Sequence, residues 1–327
     1  MNVSINFWIG FIVFVIIMLS LDLFIFHKTD KAIKVKDALL WSLFWIGLAV
    51  VFNIGIYYIV GNVYGYELGK QKALEFLTGY LIEESLSIDN LFVFIMIFGF
   101  FKIDSTFQYK ILFWGIIGAI VMRAVFIFAG VALIQQFAWV MYVFGAFLIY
   151  TGVHMLFEKD DNSEFDPNKN IVIRVFRKIM PVTDDMSKHR FFVKKNKILY
   201  ATPFFIALLI IEVSDLIFAV DSIPAVLSVS KDIFIVYTSN IFAILGLRSL
   251  YFALSGIMDY FHYLKYALSG ILTFIGLKMC FNEFCSEFVY TFHISNFASL
   301  GVIVTFLTIS IVLSVIVRKT TENKLAK

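Results

Sequence analysis

The chain has 327 residues, of which 61% are hydrophobic and only 16% are charged, against roughly 25% charged for an ordinary soluble domain. This composition, with a mean hydropathy of +0.88, excludes an ordinary soluble enzyme and indicates a protein that lies in the lipid bilayer. The net charge of +3 comes mostly from loops, so it indicates topology and we expect no nucleic-acid partner. As a separate prediction, we expect no enzymatic activity.

Nine apolar segments are predicted to cross the membrane as helices, because about 20 apolar residues span a hydrocarbon core roughly 30 Å thick. In chain order they cover residues 7–26, 38–60, 73–101, 110–134, 137–157, 198–227, 233–255, 261–281 and 296–317. The first lacks a basic region before it and a small-residue cleavage site, and it contains Asp22, so we expect it to remain as a helix. The predicted fold is therefore all-α integral membrane, with one transmembrane domain over 1–327.

Basic residues predict the orientation of these helices, since short basic loops stay in the cytoplasm. Lys and Arg are concentrated in the first connection, in the segment 158–197 and in the C-terminal tail, which lie on one side of a nine-span arrangement. The opposite side carries only Lys70, Lys72 and Lys231. We therefore expect an outside N-terminus and a cytoplasmic C-terminus, in a bacterial-type cytoplasmic (inner) membrane.

The polar segment 158–197 is expected to be a solvated cytoplasmic linker with one interfacial helix and to be where membrane partners would bind. It separates two similar halves, 73–157 and 198–281. Gly152-Val-His-Met-Leu-Phe157 in the fifth span parallels Gly276-Leu-Lys-Met-Cys-Phe281 in the eighth. Because the first half begins outside and the second inside, they predict two inverted three-helix repeats. Transporters built in this way hold their ions near the membrane midplane.

Acidic side chains lie in the middle of two spans. Aligning Asp89-Asn90 of the third span with Asp221-Ser222 of the sixth also places Glu83 on Asp215. Each intramembrane acid costs roughly 2.5–3.5 kcal/mol at a helix centre, so we expect a cation among them. The predicted metal ligands are Glu83, Asp89, Asn90, Glu212, Asp215, Asp221 and Ser222, with Asp22 and Glu84 as secondary candidates.

Helical geometry opposes this convergence, because Asp221 lies about 120° around the helix from Asp215. Pro224 removes the hydrogen bond to the Val220 carbonyl and predicts a kink or an unwound turn beside Asp221. Arg123 and Arg248 are predicted to neutralise some of the carboxylates. The alternative is that acids and arginines only form buried ion pairs that fix helix packing.

The type of ligand narrows the choice of ion. Carboxylate, amide and hydroxyl oxygens suit Mn²⁺, Ca²⁺ or Mg²⁺, whereas zinc and copper sites favour Cys and His. His154 is left as either a nitrogen ligand or a packed side chain, and Asn53, like Asp22, as either part of an access path or a packing contact. Cys280 and Cys285 form either a disulfide or two incidental thiols. We expect no tightly bound cofactor.

At these motifs the sequence resembles the TerC/Alx family of integral membrane proteins, named for tellurite resistance and associated with manganese export. The resemblance rests on residues 79–94, 212–225 and 240–251, and it extends over 21–281. It implies a nine-helix, inverted-repeat protein that exports Mn²⁺ or a related cation, with the intramembrane acids as ligands. Glu84 departs from the family pattern, in which that position is commonly not acidic.

The leading functional hypothesis is a divalent-cation exporter with alternating access, driven by proton antiport. The second hypothesis is a non-transporting membrane scaffold or a metal or stress sensor. Paired aspartates also occur in intramembrane proteases, but the Gly-x-Gly-Asp context expected there is missing. No nucleotide-binding motif is present, which argues against ATP-driven transport by this chain alone.

Overall fold

Apolar segments form helices in a bilayer because every backbone N–H and C=O must be bonded within the segment. The computed structural model describes residues 5–26, 35–137, 139–157, 176, 180–183, 190–195, 198–255, 263–287 and 294–325, without the side chains of 23–26, 89, 92 and 318–325. These ranges contain nine helices: α1 (Ile5–Phe26), α2 (Val35–Tyr64), α3 (Tyr66–Phe100), α4 (Ser105–Gln136), α5 (Val140–Phe157), α6 (Pro203–Leu227), α7 (Ile233–Ser255), α8 (Leu264–Glu287) and α9 (Asn296–Leu325).

The nine helices correspond one to one to the predicted spans. Eight of them are long and apolar enough to cross a membrane. The remaining one is α3, whose apolar sequence is interrupted by Glu83, Glu84 and Asp89. The all-α membrane fold is therefore confirmed, while the inverted repeat stays a prediction.

The start of the sixth span was predicted wrongly. Residues 198–201, assigned to the sixth span, form strand β2 (Ile198–Ala201), which pairs antiparallel with β1 (Phe192–Lys195). The helix begins only at Pro203, because proline lacks an N–H and has a helical φ, so it suits the first helical position. Most of the 158–197 linker lies outside the described residues, so the interfacial helix expected within it stays a prediction.

The helix α7 lies at the centre of the bundle. Most of its residues are buried, whereas few residues of α1, α2 and α9 are. Large apolar side chains are exposed along those three helices, among them Ile16, Val51 and Ile316. Exposed apolar surface of this extent fits a bilayer, in which lipid chains cover it.

The helices α5 and α8 pack closely through small residues. A Cβ placed on Gly152 of α5 would lie 2.5 Å from Oγ1 of Thr273 and 2.8 Å from the carbonyl of Ser269. The Ser269 hydroxyl in turn donates a hydrogen bond to the Gly152 carbonyl. Small residues at such an interface let two helix backbones approach each other, as is common within membranes.

The same contact recurs at the other end of this interface. A Cβ on Gly276 of α8 would lie 2.6 Å from the carbonyl of Gly145 and 2.9 Å from Ile149. The glycine of each helix meets the equivalent two residues of the other helix, so the contacts have a local two-fold symmetry. The predicted inverted repeat requires such symmetry of this pair. The two sets have equal spacing along their helices: Gly145, Ile149 and Gly152 in α5, and Ser269, Thr273 and Gly276 in α8.

Candidate functional site

The two acidic helices, α3 and α6, lie in contact with each other, while α4 packs against α6 and α7, and α7 packs against α3. The predicted unwound turn in α6 is not found, because the helix continues through Asp221 and Pro224 to Leu227. Asp215 and Asp221 therefore keep the separation of about 120° around the helix that regular geometry sets. The acids of α6 thus have different surroundings.

One group of acids surrounds Arg123 of α4. The guanidinium forms an ion pair with Glu83 of α3, and its Nη2 lies 3.3 Å from Oδ1 of Asp215 on α6. Its Nη1 also donates to Oδ1 of Asn240 on α7, at 3.0 Å. Arg123 and Glu83 have no exposed surface, so this pairing is shielded from solvent. Glu83 and Asp215, which the alignment of the two halves makes equivalent, thus share one cation.

Neighbouring hydrogen bonds orient the groups around Arg123. The Nδ2 of Asn240 donates to the Val236 carbonyl at 3.0 Å, which turns its Oδ1 towards the guanidinium. The Ser87 hydroxyl donates to Oε1 of Glu83 at 3.3 Å. The second carboxylate oxygen of Glu83 is buried and has no hydrogen-bond partner among the described residues.

A second acid, Glu212, lines a narrow cavity between α3, α4, α6 and α7. The cavity also contains Asp215 and Arg248, and the rest of its lining is mainly apolar, including Phe94 and Leu112. Gly118 of α4 makes room for the Glu212 carboxylate, since a Cβ there would collide with both carboxylate oxygens. No basic side chain in the described part of the chain pairs with Glu212.

Asp221 points to a different neighbour. The Thr151 hydroxyl of α5 donates to its Oδ1 at 3.3 Å, and no ion pair to it occurs among the described residues. The adjacent Ser222 hydroxyl is buried and has no partner there. Among the described residues, no basic side chain therefore neutralises the Asp221 carboxylate, and no group hydrogen-bonds to the Ser222 hydroxyl.

The remaining acids of α3 are only partly accounted for. Glu84 lies beside the hydroxyl of Tyr80, while its Oε2 is buried and has no hydrogen-bond partner within the ranges that the structure describes. Asn90 is buried in α3. The side chain of Asp89 lies outside the described residues.

Arg248 is paired away from the central acids. Its guanidinium forms an ion pair with Asp22 of α1 and lies 4.1 Å from the ring centroid of Tyr109. The Tyr109 hydroxyl donates to the Asp22 backbone carbonyl at 2.9 Å. Asp22, predicted as a secondary ligand or as part of an access path, therefore has a basic partner in this conformation.

The other candidates lie outside this centre. His154 is exposed, with its ring 5.7 Å from that of Tyr150. Oδ1 of Asn53 is buried and has no hydrogen-bond partner in the described regions. Cys280 and Cys285 are both free thiols, so no disulfide joins them.

The predicted ligands are thus divided between separate places. Within the described residues, no group of three or more His, Cys, Asp or Glu side chains is arranged to hold a metal ion. Two sets of oxygen atoms suit a hard cation: Glu83, Asp215 and Asn240 around Arg123, and Asp221 with Thr151.

Sequence reasoning assigned no site role to Asn240, Thr151 or Gly118. Asn240 had a usable signal, because an amide in an otherwise apolar and buried helix needs a polar partner. Thr151 and Gly118 had none, since their importance comes from which residues of α6 they meet.

Comparison with known proteins places these helices in a wider group. The family model described as "Integral membrane protein TerC family" matches residues 68–322, which span α3 to α9. The "Putative membrane-bound redox modulator Alx" of Salmonella typhi is 46% identical over 97% of this chain and 96% of its own length. Its counterpart in Escherichia coli K12 is 44% identical over 94% and 93%, respectively.

A further relative, "Uncharacterized membrane protein STKORF319" of Myxococcus xanthus, is 48% identical over 85% of this chain and 84% of its own length. No solved structure matches the chain.

Proposed function

The chain belongs to the TerC family of integral membrane proteins, and from this premise we propose that it exports a divalent metal cation, with Mn²⁺ as the first candidate. One observation carries the proposal. Glu84, Glu212 and Asp221 lie within membrane-spanning helices and have no basic partner among the described residues. Carboxylates at this depth are costly unless a cation or a proton neutralises them.

The available ligands favour a hard cation. The two acidic helices offer carboxylate, hydroxyl and amide oxygens, which suit Mn²⁺, Mg²⁺ and Ca²⁺ better than Zn²⁺ or copper. Within the described residues, the contacts of His154 and Cys280 are with Tyr150 and Tyr142, and no contact joins His154, Cys280 or Cys285 to the acids of α3 and α6. We therefore expect Mn²⁺ to be preferred over Zn²⁺.

We propose that the ion passes along α6 from the cavity at Glu212 to Asp221, or in the opposite direction. The cavity at Glu212 lies in the half of the bundle nearer to the start of α6, whereas Asp221 lies nearer to its end. Movement of one half against the other, in the manner of inverted-repeat transporters, would expose these acids in turn. Proton antiport is the proposed driving force, because a carboxylate can exchange a metal ion for protons.

Metal flux into liposomes tests this proposal directly. The purified protein is reconstituted with a trapped dye that senses divalent ions, and Mn²⁺, Ca²⁺, Mg²⁺ and Zn²⁺ are compared with and without a pH gradient. We expect Mn²⁺ flux, reduced at least about tenfold by Asp221→Asn, because one lost ligand is worth 1.4 kcal/mol or more. Glu67→Gln is the matched control, since Glu67 is an exposed acid at the start of α3.

Absence of flux with every ion would contradict the exporter. It would favour a non-transporting scaffold or sensor, and it would give weight to the redox role in the name of the Alx relatives.

A further inference from the structure

The oxygen atoms around Arg123 form an arrangement that ordinary ion pairing does not require. Glu83, Asp215 and Asn240 belong to three different helices, and one oxygen of each contacts the same guanidinium. The oxygens of Asn240 and Asp215 lie 3.0 Å and 3.3 Å from its nitrogens. These three side chains therefore surround one buried position, and a positive group occupies it.

The same three side chains have the chemistry of a divalent-cation site. Two carboxylates and an amide oxygen are the ligands that Mn²⁺, Mg²⁺ and Ca²⁺ take in proteins. Glu83 is fully buried, and its Oε2 has no hydrogen-bond partner in the described part of the chain, so the guanidinium leaves part of this ligand set unused. Two carboxylates against one guanidinium also leave the cluster one negative charge in excess.

We propose that Arg123 is a tethered cation that occupies a divalent-cation site made by Glu83, Asp215 and Asn240, and that the transported ion must displace it. This inference rests on the proposed export function. Two adjacent buried carboxylates without a cation would be strongly unfavourable, so Arg123 stabilises the ion-free protein. Competition with Arg123 also weakens metal binding, and a transported ion must bind weakly enough to leave.

Binding of Mn²⁺ to the purified full-length protein in nanodiscs, measured by titration calorimetry, tests the inference. Arg123→Gln removes the competing charge, so we expect the Kd for Mn²⁺ to fall by about tenfold or more, since nearby charges interact by several kcal/mol in such surroundings. Arg123→Lys keeps the charge without the planar fork of donors, so its Kd should lie between the two.

Two further variants distinguish competition between Arg123 and Mn²⁺ from a general effect of removing a positive charge on Mn²⁺ affinity. Glu83→Gln combined with Arg123→Gln removes one of the freed ligands and should reverse the gain in affinity. Lys231→Gln removes an exposed basic residue that pairs with Glu283 outside this cluster, and we expect its Kd to stay within about twofold of the wild type.

If Arg123 only joins helices, neither Arg123→Gln nor Arg123→Lys will bind Mn²⁺ more tightly than the wild type, and that result overturns the inference. Should Arg123→Gln fail to give a monodisperse protein, Arg123→Lys decides alone. This outcome is distinguishable from that of the export test. Tighter Mn²⁺ binding by Arg123→Gln, together with no flux by the wild type, would refute the exporter and keep the tethered cation.

Discussion

The intramembrane acids of this chain differ in their partners more than in their type. Glu83 and Asp215 share the guanidinium of Arg123, whereas Glu212 and Asp221 have no basic partner in the described regions. The difference between Asp215 and Asp221 follows from helix rotation, because six residues turn the side chain to another face. We therefore expect substitutions of these acids to have unequal effects.

The substitution Gly118→Ala tests the role of Glu212 without altering an acid. The added methyl group would collide with the Glu212 carboxylate, which can move aside because it is the end of a flexible side chain. We expect a severalfold loss of Mn²⁺ flux in liposomes while the thermal unfolding midpoint stays within about 2 °C of the wild type.

Gly47→Ala is the matched control, since a Cβ there meets nothing within 4 Å. Unchanged flux in a folded Gly118→Ala protein would show that the position of the Glu212 carboxylate does not matter for transport.

The pairing of α5 with α8 joins the two halves of the chain at the level of whole helices. Its contacts depend on backbone atoms, because Gly145 and Gly276 lie where any side chain would meet the opposite helix. A backbone cannot move aside as a carboxylate can, so extra volume here must separate the helices or distort them.

We expect Gly276→Ala to lower the free energy of unfolding by about 1–3 kcal/mol, the usual cost of overpacking a core. Denaturant titration of the detergent-solubilised protein, followed by tryptophan fluorescence, measures this change. Gly301→Ala on α9 is the control, because a Cβ there meets nothing within 4 Å. Equal stability of the two variants would contradict close packing between α5 and α8.

For the whole molecule, the bundle surrounds α7 with helices that carry the charged groups inwards and expose apolar side chains outwards. The acids and arginines that face one another come from α1, α3, α4 and α6 with α7. Because these helices are far apart in the chain, their ion pairs can form only when the whole bundle has folded.

The orientation of this bundle in the membrane is a prediction from its basic loops. Single cysteines introduced at Lys231, whose side chain is 56% exposed, and at Asn168 in the linker would report it in a background without Cys280 and Cys285. On intact cells, a membrane-impermeant maleimide should label position 231 and not position 168. The reverse pattern would place the N-terminus in the cytoplasm.

The sequence by itself determined the fold class, the nine helices and the family. Apolar length defines a spanning helix because the bilayer has a constant thickness, and the motif residues 79–94 and 212–225 identify the family. It also identified which helices carry the acids. The start of α6 was missed by five residues, because strand pairing at 198–201 depends on a partner segment rather than on local hydropathy.

Only the tertiary structure decided which charged groups meet. It paired Arg123 with Glu83 and Asp215, and it turned Arg248 to Asp22 although both arginines occupy similar places in the two halves. It also kept Asp221 apart from Asp215 along an unbroken α6 and gave it Thr151 as a neighbour. The physical reason is that hydropathy depends on each segment alone, whereas ion pairs depend on how each helix is rotated and on which helices pack beside it.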